Sequence, residues 1–161
     1  MIPVLVPGHA VAKAFGLGTL PATTPDGLAL ARRIRERIQA VPQVPIATHH
    51  VLHAGVYHRT ICIPAGVALA GARIKIPTTV VVSGHASVLL GDGDEAIVRG
   101  YEVLPAPAGR EQIFIAHADT YVTMSFRTQA ASVEEAEGEF TDEADLLMSR
   151  TGENTVVVTG D

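Results

Sequence analysis

Seven histidines and a single cysteine are the side chains with the most chemistry to offer in this chain. His49, His50, His53 and His58 crowd ahead of and onto the first strongly β-prone stretch, while His117 stands apart in a turn. Imidazole nitrogen binds transition metals, but a defined zinc site needs three or four donors in one shell. His50 and His53 have the spacing of a ligand pair on one helical turn, and His58 and His117 are the further donors that the fold could bring to them. The alternative is surface or rim histidines making ordinary hydrogen bonds. Cys62 sits in Thr60-Ile61-Cys62-Ile63, the setting of a buried structural thiol. Its one possible base, His58, shares a strand face with it by parity. Ser83 reads as a turn residue, and Asp92, Asp94 and Glu95 as the solvated tip of a hairpin. Asp119 beside His117 either holds an imidazole tautomer or shapes the turn. Gly16-Leu17-Gly18 lacks the third glycine and the βαβ context of a nucleotide fingerprint. No catalytic residue and no cofactor is assigned on these residues.

Four cations lie on predicted strands: Arg59, Arg73, Lys75 and Arg99. If two of them point inward, they would suit an anion such as a carboxylate or phosphate. Parity cannot decide it, because one bulge shifts every later side chain to the other face.

The elements that must position these groups are strands. From about Tyr57 to Phe126, short apolar and β-branched stretches alternate with Pro64-Ala65-Gly66, Ser83-Gly84, Gly91-Asp92-Gly93-Asp94 and Pro105-Ala106-Pro107-Ala108-Gly109. Strands punctuated at roughly ten-residue spacing mark a sandwich or small barrel. The pattern predicts strands over 56–63, 67–75, 78–83, 86–90, 95–100, 112–116 and 120–126. Residues 1–23 are apolar but too rich in Gly and Pro for a helix, which predicts an extended arm docking through Val4, Val6, Phe15 and Leu17 on its own barrel or a neighbour. Thr24 is the expected N-cap of an amphipathic helix with Pro25 at its first position, ending near Ala40, within a segment 24–45. Its stripe is Leu30, Ala31, Ile34 and Ile38; Arg32, Arg33, Arg35 and Arg37 fall mainly on the other faces, solvated or paired, or docked on an acidic partner. Residues 46–128 form the barrel. Residues 129–161 form an acidic tail with helices capped by Ser132 and Thr141, and Thr155-Val156-Val157-Val158-Thr159 is a candidate edge strand.

The chain has 161 residues, enough for one domain with a real core, and a formal net charge of −5. That balance argues against a general or sequence-specific nucleic-acid binder. One cysteine allows no internal disulfide. No apolar run approaches the roughly 20 residues of a spanning helix, and the first residues carry no basic leader, so a soluble intracellular protein away from the membrane is expected.

Ile63-Pro64-Ala65-Gly66-Val67, the later Gly71, the strand into Val82-Ser83-Gly84, then Gly91-Asp92-Gly93 and Pro107-Ala108-Gly109 resemble the two conserved blocks of cupins, which are small double-stranded β-helix barrels. With Ala116-His117-Ala118-Asp119-Thr120 and the acidic tail, the stretch from about Val56 to Arg150 is similar to short cupin-like proteins of tailed phages and prophages. The resemblance implies a mainly β fold: a single jelly-roll barrel with an extended N-terminal arm, a helix and short C-terminal helices. It also implies a metal held by two histidines and a carboxylate from the first block and a histidine from the second. Those positions fall near Ala72 and Ile74, near Pro77 to Thr79, and at Gln112. None supplies a good transition-metal ligand, and Arg73 and Lys75 add positive charge there.

The reading is therefore a non-catalytic cupin-like phage or prophage protein. It would be a virion or assembly component that forms homo-oligomers and contacts other phage structural proteins, in the virion or the host cytoplasm. The alternatives are a small-molecule-binding or metal-dependent cupin, of isomerase or oxygenase type, and a phage-encoded inhibitor of a host protein.

Overall fold

The computed structural model describes residues 18–160. The arm residues Val4, Val6, Phe15 and Leu17 lie outside that range. The chain is mainly β, as expected: β1 (Thr48–His53), β2 (Val56–Ile63), β3 (Ala68–Ala70), β4 (Thr78–Leu89), β5 (Glu95–Ala106), β6 (Ile113–Ala116), β7 (Thr120–Arg127) and β8 (Asn154–Val158). Helix α1 (Pro25–Gln39) precedes the strands, and α2 (Val133–Phe140) follows β7. No helix among the described residues is long and apolar enough to cross a membrane.

The strands form one sheet in the order β3-β6-β4-β7-β2-β1-β8, with β5 on the other edge of β4. β1 and β2 join through Ala54 and Gly55, both at positive φ, the two-residue turn whose twist matches a hairpin. The curl comes from β4. Along one edge its first half pairs with β7 through Thr79–Ser83, and its second half pairs with β6 through Ala86–Leu89. Its other edge stays on β5 throughout. A strand that changes partner midway must bend there, and the bend falls at Gly84, opposite Gly100. Sequence pattern predicts two strands, 78–83 and 86–90, because Ser83-Gly84 reads as a turn. The glycine instead bends a continuous strand.

Even-numbered residues of β4 face inward: Val80, Val82, Ala86 and Val88 are buried. Val80, Val82 and Val88 pack with Ile61, Ile63, Val98, Leu104, Phe114 and Val122 in the larger core. A second cluster of Leu52, Tyr57, Phe126, Ala136 and Phe140 lies between β1, β2, β7 and α2. Its three rings, Tyr57, Phe126 and Phe140, meet with centroids 5.4 to 6.4 Å apart.

The helix ends match their signals. Thr24 Oγ1 accepts from Gly27 N, Pro25 opens α1, and Ala40 caps it. Ser132 Oγ accepts from Glu135 N at the start of α2. Thr141 does not begin a second helix. It closes α2, and single 3-10 turns follow at Ala144–Leu146 and Met148–Arg150. Glu137 of α2 is buried between Arg150 Nη2 at 2.9 Å and Ser149 Oγ at 2.6 Å. The predicted strand 67–75 is strand only at Ala68–Ala70, with an isolated bridge from Ile74 to Arg110. The terminal valine run adds to β1 in parallel as β8.

Gly84 combines φ +148 with a tight approach: a Cβ there would lie 2.7 Å from Thr120 Cα and 2.8 Å from Asp119 O. At Gly100, φ is +85 but the space is open. Gly84→Ala is therefore expected to cost about 2–4 kcal/mol in urea unfolding, against about 1 kcal/mol for Gly100→Ala. Equal costs would mean that the bend does not need the missing side chain.

Candidate functional site

The curl of the sheet leaves a partly open cavity of about 430 Å³. One inward row across the sheet runs His50 on β1, Arg59 on β2, Met124 on β7, Val80 on β4 and Leu104 on β5. The next row carries Ile61, Val122 and Val82. Phe114 on β6 and Leu69 on β3 form another wall, and Leu20 enters from the segment before α1. The remaining wall is α1 and the stretch after it, through Arg35, Ile38, Val41 and Val44.

Helix α1 is fastened at both ends. At its start, Thr24 N and Oγ1 donate to Gly91 O on the β4–β5 hairpin, at 2.7 and 2.9 Å. Gly27 touches the same carbonyl, so neither it nor Gly91 has room for a side chain. Further along, Arg35 turns inward. Its guanidinium bonds Glu111 at 2.5 Å, Glu143 at 2.8 Å and the carbonyl of Gly71 at 2.9 Å. Glu143 also accepts from Arg73 N. Burial disfavours the charged Arg35, but the Glu143 bond and Glu111 outweigh it and raise its pKa. Burial raises the Glu111 pKa against the pull of Arg35. Glu143 is partly desolvated, yet the Arg35 bond brings its pKa below the usual value. The expectation that the helix arginines lie mainly on other faces fails for Arg35. It stands four residues after Ala31, on the edge of the buried stripe, and that spacing was the available signal.

Two more arginines reach the cavity. Arg110 is buried and spends its donors on the carbonyls of Ala106 and Pro107 and on the Thr78 hydroxyl; no carboxylate among the described residues pairs with it, and burial takes its pKa down to about 10. No sequence signal marks it. Arg59 is half-buried, and its Nε is fully buried with no hydrogen-bond partner. Burial lowers its pKa, only partly opposed by Tyr57 and Glu137. The other predicted anion ligands lie elsewhere. Arg73 and Lys75 are exposed around a separate polar hollow, where Lys75 pairs with Asp142 at 2.6 Å. Arg99 is exposed on β5, on the opposite face from Val98.

The four histidine candidates are not brought together. β1 is a strand, so His50 and His53 point to opposite faces rather than along one helical turn. His50 is buried, with Nδ1 on the Tyr57 hydroxyl at 2.8 Å and Nε2 on Asn154 Oδ1 at 3.1 Å. His53 is exposed against Thr159, His58 meets Ser125 on β7, and His117 meets Ser87 with its ring tilted against that of His85 at 4.7 Å. His58 and Cys62 share the outer face but stand about 13 Å apart along the strand. Asp119 accepts from Ala65 N, which leaves it shaping a turn rather than orienting His117.

No group of three or more His, Cys, Asp or Glu among the described residues could hold a metal ion. Ala72, Ile74 and Gln112, where the cupin resemblance places metal ligands, all line the cavity. An alanine, an isoleucine and an amide do not fit a transition metal, and the arginines on the same wall oppose a cation.

No family model matches the chain, and no curated protein matches it. Solved structures do align. An oxalate oxidase in complex with the substrate analogue glycolate is 17% identical at a TM-score of 0.43, over 55% of this chain and 53% of that one. The chain thus spans about half the length of the oxalate oxidase it matches. A cupin superfamily protein from Desulfitobacterium hafniense is 10% identical, with a TM-score of 0.44 over 57% and 87% of the two chains. An RmlC-like cupin from Desulfovibrio desulfuricans is 17% identical, with a TM-score of 0.41 over 52% and 82%.

Removing Arg35 leaves two carboxylates facing each other with one of them buried. Arg35→Met is expected to cost about 3 kcal/mol in chemical denaturation, and adding Glu111→Leu to recover about half of it. No recovery in the double variant would show that the clamp acts through packing alone. His50 gives a pH signature. Burial depresses its pKa below 6.5, with Arg59 and His49 lowering and Asn154 and Glu137 raising it. The unfolded chain then takes up this proton first as pH drops, so stability present above 6.5 is lost below it. Melting temperatures between pH 7.5 and 5.5 should fall in the parent and fall less in His50→Gln.

Proposed function

We propose that this chain is a cupin-like barrel protein that binds a small organic molecule in its interior and does no chemistry on it. The observation that carries this is the cavity of about 430 Å³, walled mainly by Ile, Val, Leu, Phe and Met. Its size and lining are those of small-ligand sites. Among the described residues its wall carries no imidazole, thiol or hydroxyl. Its one carboxylate, Glu143, is held by Arg35 and by Arg73 N, with no second base beside it on the described wall. The neutral probe hexan-1-ol, titrated into the full chain and followed by methyl resonances, should shift Val80, Val122 and Met124 saturably. Ala70→Phe, which fills the cavity, should abolish the shifts. Shifts that never saturate, or that survive the filling, would overturn the reading.

A second reading, assembly through the arm, is favoured by β5. Among the described residues this strand pairs only with β4, and it carries exposed Ile97, Tyr101 and Val103. Leu20 N already donates to Pro105 O at 3.1 Å, a first hydrogen bond from the segment before α1 onto this strand. We propose that residues 1–17 add to β5 of a second copy. The virion or assembly role in a phage or prophage remains a further proposal, supported by the sequence resemblance. Deleting residues 1–17 should lower the sedimenting mass of the full chain to that of a monomer; an unchanged mass overturns the exchange.

A further inference from the structure

We infer that the molecule taken up by the barrel is a carboxylate with a short apolar body, its head group on Arg59 and its tail against Val80, Val122 and Phe114. This rests on the proposal that the cavity binds a ligand, and adds the ligand's chemical class.

Arg59 is the one cavity arginine whose donors are not accounted for. Arg35 is satisfied by Glu111, Glu143 and a carbonyl. Arg110 is satisfied by carbonyls and a hydroxyl. Arg59 forms no ion pair of 4 Å or less with any described carboxylate, and its buried Nε has no partner. Glu137, the carboxylate whose field reaches it, is already held by Arg150 and Ser149. A buried guanidinium N–H without an acceptor is unfavourable until something supplies one. A carboxylate supplies two in one plane, matching the fork of the guanidinium.

The surroundings select the rest of the ligand. Three arginines and one glutamate are the charged residues of the wall, so a bound cation is opposed and one negative charge is welcome. The inward neighbours of Arg59, Ile61 along its strand and Met124 and Val80 across the sheet, offer the rest of the molecule only apolar surface. Inorganic phosphate would fill the head position and leave that surface wet.

The test compares hexanoate, hexan-1-ol and inorganic phosphate as probes of the full chain by calorimetry, in the parent, Arg59→Lys and Arg59→Met. Hexanoate should bind the parent at least about tenfold more tightly than hexan-1-ol, the worth of one charge-assisted bond. Arg59→Met should lose that preference while keeping its hexan-1-ol affinity, and Arg59→Lys should keep part of it. Ligand-free Arg59→Met should melt no lower than the parent, because it removes a buried, unanswered N–H donor. Equal binding of hexanoate and hexan-1-ol by the parent, or a preference that survives Arg59→Met, overturns the carboxylate while leaving the binding barrel standing. Tighter binding of phosphate than of hexanoate overturns the apolar body. Failure of every probe to bind brings down the barrel reading with it.

Discussion

The structure depends on one strand serving two partners along the same edge. β4 gives half of its length to β7 and half to β6, while β5 follows it without interruption on the other side. Backbone hydrogen bonds must be made on both halves, so the strand cannot stay flat. The bend rolls the inward residues of five strands toward one another, and a volume larger than their side chains can fill is left between them. Gly84 allows it, through a backbone angle and an approach to Thr120 that a β-carbon would block.

A rolled sheet is open at its end, and α1 closes it. Helix propensity alone would leave these 15 residues marginal in water. What holds them is tertiary: the cap shared with Gly91, Ala31 and Gly27 packed close, and Arg35 reaching carboxylates from two distant parts of the chain. The clamp therefore joins the helix, the β5–β6 connection and the region after α2 in one contact. Disturbing it changes the wall of the cavity as well as the stability of the helix.

The strands and caps were legible because they rest on local rules. Alternation and β-branching mark β2, β5 and β7, Thr24 and Ser132 announce their helices, and Gly91-Asp92-Gly93-Asp94 announces a hairpin. What sequence could not show is which groups meet. His50 and His53 look like a pair only if their segment is helical, and pairing with β2 across a tight turn makes it a strand. Gly84 reads as a break because a bend within a strand and a turn between strands use the same residue. Of four cations on predicted strands, one faces the cavity. Its direction was set by register, which depends on partners far away in the chain. Arg110 and Glu111 carry no periodic signal, because they lie in a connection whose burial is imposed from outside.

The distribution of interior charge argues for a specific purpose at Arg59. Glu111 and Glu143 are matched to Arg35, and Glu137 to Arg150, each within 2.9 Å. Arg110 has no such match, but a cage of carbonyls and a hydroxyl answers its donors, as befits a cation fixed in a wall. If Arg59 served only the fold, the same solution should appear around it, since an unanswered buried donor weakens the native state. Instead its neighbours are a methionine, an isoleucine and a histidine already committed to Tyr57 and Asn154. Local rules are broken where function requires it. Here the break lies beside the apolar cavity that the curl of the sheet creates, which makes a missing acceptor a simpler account of Arg59 than a missing contact in the fold.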